Sequence, residues 1–156
     1  MKDGRTHMAH KAEHAVDMDT QAVVAVTVQG ADRGDTSTIY ETVAEAAENL
    51  REVRDASHVQ GKQAQEGIEE VVTDKGYHSS DVVRDMAQIE IRTYVSEPAR
   101  GARKWERKVS EQAAVYGNRR RIRGARGGRL RAKRGEVLER SFAHSRLFRS
   151  QEGPSW

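Results

Sequence analysis

The sequence predicts one mixed α/β domain, and three observations carry that prediction. A polar-apolar alternation followed by an apolar, β-branched run indicates a hairpin in the first thirty residues. A strand, helix, strand order over residues 68–95 is the pattern of a parallel crossover. The 156 residues suit a single domain, and 36% hydrophobic residues with only 5% aromatics predict a modest, mainly aliphatic core.

The hairpin is expected over residues 6–28. Residues 6–16 alternate between two faces better than they follow a helical stripe, and residues 22–28 form an apolar, β-branched run that ends at Gln29-Gly30. Residues 17–20 between the two runs, Asp-Met-Asp-Thr, contain the residue types of a turn.

A helix is expected next, over residues 36–54. Asp35 or Thr38 can cap it, since Thr38 and Glu41 have the spacing of a capping box. Its apolar face at helical period consists of Ile39, Val43, Ala46, Ala47, Leu50 and Val53. Residues 55–67 are polar with two glycines and read as a loop.

The crossover begins with a short strand over residues 68–73, so that Asp74 stands at a strand's C-terminal end. Ser79 or Ser80 caps a helix that reaches Gln88, and residues 89–95 alternate as a further strand. Residues 97–108 are a basic loop. Helices are expected over 109–123 and 130–148, separated by the glycine-containing residues 124–128, and an unstructured tail over 149–156.

Composition excludes several classes of protein. Cysteine is absent, which removes disulfides, thiolate zinc sites and cysteine nucleophiles. No signal pattern and no apolar stretch of about 18 residues occurs, so we expect a soluble, cytoplasmic chain without a membrane partner. No Gly-x-Ser-x-Gly motif supports a serine hydrolase.

The charge is distributed unevenly along the chain. Residues 1–95 hold 10 Lys and Arg against 18 Asp and Glu, and residues 96–156 hold 17 against 6, so the two parts carry −8 and +11. An acidic part able to hold divalent cations, followed by an arginine-rich part, suits a partner with a phosphate backbone. A solvated basic tail is the alternative.

The basic part contains a run in which arginine outnumbers lysine, as suits bidentate phosphate contacts. The run consists of Arg119, Arg120, Arg121, Arg123, Arg126, Arg129, Arg131, Lys133 and Arg134. We interpret it as a sequence-independent DNA contact; a disordered basic segment, or an RNA-binding one, is the alternative. Trp105 could stack on a base, although anchoring of its loop to the core is favoured.

Two motifs resemble a known family. Residues 74–79, Asp-Lys-Gly-Tyr-His-Ser, follow a β-branched strand and are similar to the second-Asp motif of bacterial insertion-sequence transposases of the DDE type. Residues 134–144, Arg-Gly-Glu-Val-Leu-Glu-Arg-Ser-Phe-Ala-His, resemble the third-carboxylate helix of that family. Residues 11–17 and 22–35 resemble its hairpin and the cap of the following helix, so the resemblance spans about residues 1–144.

The resemblance implies an RNase H-like mixed sheet with flanking helices and a basic helical C-terminal part. It implies DNA recombination by transposition, with Mg²⁺ or Mn²⁺ held by Asp74 and Glu139 as second and third carboxylates and with Arg146 beside them. Insertion-sequence DNA ends are the expected partner, and a homo-oligomer is left open. The plainer interpretations are a turn residue for Asp74 and a solvated helix residue for Glu139.

The sequence departs from the family pattern in three places, one of which is residues 145–156, where the family continues into a further helix. The first catalytic Asp belongs to a central strand before the hairpin, and neither Asp17 nor Asp19 can replace it, because both fall in the hairpin turn. Around Glu139, the family's Arg position holds Gly135 and its Lys position holds Arg146. We therefore expect residues 1–148 to be a partial, truncated catalytic domain, with 97–134 contacting DNA.

Two expectations follow from this interpretation. The chain should be catalytically inactive because the first carboxylate is missing, and weakly stable because the missing central strand leaves sheet edges exposed. A non-catalytic, basic nucleic-acid-binding module is the alternative function. A zinc site at His7, His10 and His14 is disfavoured, because a strand points His7 away from the other two.

Overall fold

The computed structural model describes residues 10–56, 67–99, 101 and 103–149, with side chains up to residue 140. The chain separates into two compact units: residues 1–15 with 24–67, and residues 16–23 with 68–156. The expected loop of 55–67 and the tail of 149–156 fall largely outside the described residues.

The described residues form a mixed α/β fold, as the sequence predicts. In chain order the elements are β1 (His10–Val16), β2 (Val23–Gly30), α1 (Asp35–Asp55), β3 (Glu70–Thr73), α2 (Ser80–Gln88), β4 (Arg92–Val95), α3 (Val109–Arg123) and α4 (Ala125–Arg149).

The predicted hairpin is confirmed, since β1 and β2 are hydrogen-bonded neighbours. Its turn is organised by Asp17, whose carboxylate accepts hydrogen bonds from the backbone N–H groups of Asp19 and Thr20. Gln21 has φ 64°, the left-handed conformation that closes the turn. The turn chemistry that the sequence indicated is therefore present.

Helix α1 matches its predicted range, but the predicted cap is wrong. Gly34 is the N-cap residue and no side chain caps the helix. Thr38 lies inside the helix and is buried, and Glu41 pairs with Arg33 at 2.7 Å, so the capping box does not form. Only part of the predicted apolar face is buried: Ile39 and Ala46 are, whereas Ala47 and Val53 are exposed.

The packing between α1 and the hairpin is partly polar. The carboxylate of Glu13, on β1, is buried and accepts hydrogen bonds from the hydroxyls of Thr38 and Thr42. Lys11 lies 2.7 Å from it. Burial opposes ionisation, but the hydrogen bonds from Lys11 and the two threonines outweigh it and hold the pKa of Glu13 below its ordinary value.

In the second unit, β3 and β4 pair in parallel with Val71 opposite Thr93, and α2 connects them, so the predicted crossover is confirmed. Ser79 caps α2 by accepting from the N–H of Val82 at 2.9 Å. The second strand is shorter than predicted, because Ile89 and Glu90 form the turn after α2 and Glu90 has φ 62°.

Helices α3 and α4 cover this parallel pair. Val115 on α3 is fully buried, together with Val83 of α2 and Val95 of β4. The predicted separation over 124–128 is reduced to Gly124, because α4 already begins at Ala125. Gly127 allows this tight connection: a Cβ there would lie 2.2 Å from the carbonyl oxygen of Arg121.

The resemblance implies an RNase H-like mixed sheet that lacks its central strand, and the strand pairing does not establish that arrangement. The described strands form two separate pairs, β1–β2 and β3–β4.

Candidate nucleic-acid interface

Asp74 lies at the C-terminal end of β3, as the sequence predicted. Its carboxylate accepts a hydrogen bond from the N–H of Gly76 at 2.8 Å and caps a short 3₁₀ turn, Lys75–Tyr77. Half of the side chain, 53%, is exposed. Asp74 therefore makes the contact of a turn residue while one side of its carboxylate faces solvent.

The nearest cation to Asp74 comes from α4. A guanidinium nitrogen of Arg134 lies 3.6 Å from the second carboxylate oxygen. Glu139 follows five residues later on the same helix, which is about 140° around the axis from Arg134 at 3.6 residues per turn, and its side chain is exposed. The structure thus brings Asp74 to Arg134, and directs Glu139 to another side of α4.

The described residues contain no cluster of three or more His, Asp or Glu side chains suited to a metal ion. Asp74 and Glu139 alone would offer a hard cation too few oxygen ligands. Of the three histidines considered for zinc, His10 is exposed and His7 lies outside the described residues. The side chain of Arg146 also lies outside them.

Several members of the arginine run make contacts within the protein. Arg119 donates two hydrogen bonds to Glu97, at 2.6 and 2.9 Å, and Arg103 lies 2.8 Å from the same carboxylate. The hydrogen bond from Arg119 and the charge of Arg103 hold the pKa of Glu97 below its ordinary value, despite partial burial. This cluster joins the basic loop to α3 at Arg119, near the C-terminal end of the helix.

Arg121 points inward. It donates to the backbone carbonyl of Thr93 at 2.9 Å and to the hydroxyl of that residue at 3.2 Å. Burial lowers the pKa of its guanidinium from the usual very high value. Arg121 therefore serves the packing of α3 on β4.

Three further cations of the run contact acceptors in the same unit. Arg126 pairs with Glu70 at 2.7 Å, and Lys133 lies 2.7 Å from Asp19. Arg131 donates to the backbone carbonyls of Gly127 and Ile122. Together with Arg134, these residues make ion pairs and hydrogen bonds within the protein. The number of basic residues in the sequence does not reveal this structural role.

The remaining members, Arg120, Arg123 and Arg129, are exposed. In the described part of the chain, no hydrogen bond or ion pair engages their side chains. Arg120 and Arg123 line a concavity of about 300 Å³ on α3, together with Arg119 and Tyr116. The sequence interpretation missed Tyr116, although its spacing of three, four and seven residues from these arginines places all four on one helix face.

Trp105 anchors the basic loop to α3, which agrees with the anchoring role that the sequence favours. It is partly buried, its ring meets the ring of Tyr116 edge-on with centroids 6.1 Å apart, and Arg103 lies over it at 5.6 Å. The contact fixes one side of Tyr116.

Comparison of the chain with protein-family models, curated proteins and solved structures found no match in any of the three. Within the described residues, none of the helices combines the length and apolar character needed to cross a membrane.

Proposed function

We propose that this chain is part of the catalytic domain of a DDE-type transposase, and that it binds DNA without performing strand transfer by itself. The observation that carries the proposal is the position of Asp74. Its carboxylate is half exposed at the carboxyl end of a parallel strand, the edge at which open α/β sheets place their ligand sites. This position supports our assignment of the motif to the family's second Asp.

The basic part supports DNA as the partner. Exposed arginines on α3 and α4 present guanidinium groups that can each form two hydrogen bonds to a phosphate. Helix α4 links this surface to Asp74 through Arg134.

Catalysis is not expected from these residues alone. In the parent family two metal ions stabilise the attacking and leaving oxygens, and they need three carboxylates. Asp74 and Glu139 do not fit such a site unaided, because two carboxylates offer too few oxygen ligands and Glu139 lies on another side of α4. An RNase H-like domain would supply the first carboxylate from its central strand.

A non-catalytic basic module is the second candidate. The turn contact of Asp74 with Gly76 favours it, because this contact gives Asp74 a structural reason to be present. Both candidates bind DNA, but they differ in whether the DNA passes near Asp74 and Glu139.

That difference can be measured in a metal-chelating buffer. If the DNA passes the two carboxylates, neutralising them in Asp74→Asn/Glu139→Gln removes repulsion of phosphate, and the affinity for a labelled DNA duplex rises several-fold. The matched control is Glu45→Gln/Glu52→Gln, which neutralises two exposed carboxylates on α1. An equal response of the two double variants would favour the basic module, and a wild-type chain that binds no DNA would contradict both.

A further inference from the structure

The outer face of α3 carries two exposed arginines whose side chains no hydrogen bond or ion pair engages in the described part of the chain. Arg120 and Arg123 are exposed there, one turn apart, beside Tyr116, of which 41% is exposed. The opposite face of the helix is buried through Val115 and Asn118. The helix is therefore held from one side and presents its cations from the other.

Two of the side chains that line this concavity, Tyr116 and Arg119, are held in place by contacts within the protein. Arg119 lies over the ring of Tyr116 at 5.2 Å, and Glu97 holds that guanidinium with two hydrogen bonds. Trp105 meets the same ring from its edge. Because Tyr116 is restrained by these contacts, a ligand that packs on it loses little additional side-chain freedom.

We propose that Tyr116, Arg120 and Arg123 form a binding site for the sugar-phosphate backbone of DNA. This site specifies the contact surface within the DNA-binding function proposed above and rests on it. Two planar guanidinium groups one helical turn apart match phosphate oxygens, and the tyrosine offers both a hydroxyl donor and an apolar ring to the sugar. An acidic peptide would use the arginines but has no comparable need of the exposed ring.

The arginines of α3 then have two different roles. Arg120 and Arg123 contact phosphate, whereas Arg119 and Arg121 position the helix through Glu97 and Thr93. Since a phosphate contact releases counterions, each of the first two should contribute about one unit to the slope of log affinity against log salt.

The test compares two double variants of the complete chain by fluorescence anisotropy with a labelled DNA duplex of arbitrary sequence. Arg120→Gln/Arg123→Gln is expected to weaken binding on the order of tenfold and to reduce the salt slope by about two. Arg51→Gln/Arg54→Gln removes the same charge at the same spacing on α1 and should change affinity less than about twofold. Tyr116→Ala should weaken binding at unchanged salt slope.

Equal losses in the two double variants would overturn the site, because net charge alone would then explain the binding. Displacement of the DNA by polyglutamate as effective as by unlabelled DNA would also overturn it, in favour of an acidic peptide ligand. A wild-type chain without DNA affinity would instead contradict the proposed function. Circular dichroism of the two arginine double variants should be unchanged, since Arg120, Arg123 and Arg51 are exposed and Arg54 is partly exposed.

Discussion

Glu97 holds Arg119 through two parallel hydrogen bonds, at 2.6 and 2.9 Å, at a separation of 22 residues in the chain. The pair joins the basic loop to α3 and removes one arginine of the run from the set that can bind phosphate. The same carboxylate also pairs with Arg103.

Replacement of Glu97 by Gln should therefore destabilise the protein at neutral pH by about 1–3 kcal/mol, because two guanidinium groups lose a charged acceptor. The hydrogen bond from Arg119 lowers the pKa of Glu97 from 4.5. A lowered pKa gives stability that is present above about pH 4.5 and lost as the pH falls through the folded-state value.

Urea unfolding at several pH values measures this effect. The difference between wild type and Glu97→Gln should be largest near neutral pH and shrink below pH 4.5. Glu106→Gln, an exposed glutamate of the same loop, is the control and should change little. A difference that stays constant into acid would contradict the role given to the ionised carboxylate.

The second prediction concerns Asn118. Its side-chain amide is fully buried, accepts from the N–H of Val95 at 3.0 Å and donates to the carbonyl of Val95 at 2.8 Å, so it completes the edge of β4. Asn118→Ala leaves both buried backbone groups without these partners and should cost about 1–3 kcal/mol for each.

Thermal unfolding of Asn118→Ala and Asn118→Ser, followed by circular dichroism, measures that cost. Neither side chain can reproduce the two-bond pairing with Val95, so both variants should unfold well below wild type. A variant with a wild-type midpoint would show that water replaces the amide and that the pairing contributes little.

The contribution of Asp74 to stability, through its hydrogen bond with Gly76, can be measured separately from any catalytic role. Asp74→Ala removes the acceptor for the N–H of Gly76 and should cost about 1 kcal/mol, the usual value of a lost cap. Asp74→Asn keeps an acceptor oxygen and should cost only a few tenths of that. Denaturant midpoints compare the two, and equal losses would instead point to the charge interaction with Arg134.

The lack of strand transfer is a further prediction. The purified chain should leave supercoiled plasmid intact in Mg²⁺ and in Mn²⁺, because two carboxylates hold a metal pair poorly. Agarose gels detect nicking at high sensitivity. Metal-dependent nicking that disappears in Asp74→Ala would show a complete active site and refute this part of the proposal.

The sequence predicted the order and approximate ranges of the helices and strands because the local signals are strong there. Ser79 has the chemistry and position of a cap, residues 68–73 before it are rich in β-branched types, and residues 89–95 after α2 alternate as in a strand. The interior of the first unit was less predictable. Thr38, Thr42 and Glu13 pack together there, and polar residue types normally indicate the solvent side of a helix or strand.

The use of each arginine also escaped prediction, for a different reason. Whether an arginine faces solvent or a carboxylate depends on partners far away in the chain. Arg126 meets Glu70 across 56 positions, and no local pattern links these two residues. The spacing of Tyr116, Arg120 and Arg123 on one helix face was available in the sequence, but the burial of the opposite face was not.

The salt dependence of DNA binding by the complete chain tests the central claim most directly. The logarithm of the affinity is expected to fall linearly with the logarithm of the salt concentration, with a slope near −0.9 for each phosphate contacted. The affinity should therefore drop roughly tenfold or more between about 50 and 200 mM salt. A flat salt response, or no measurable binding at low salt, would contradict a phosphate-binding role for the arginine-rich part of this protein.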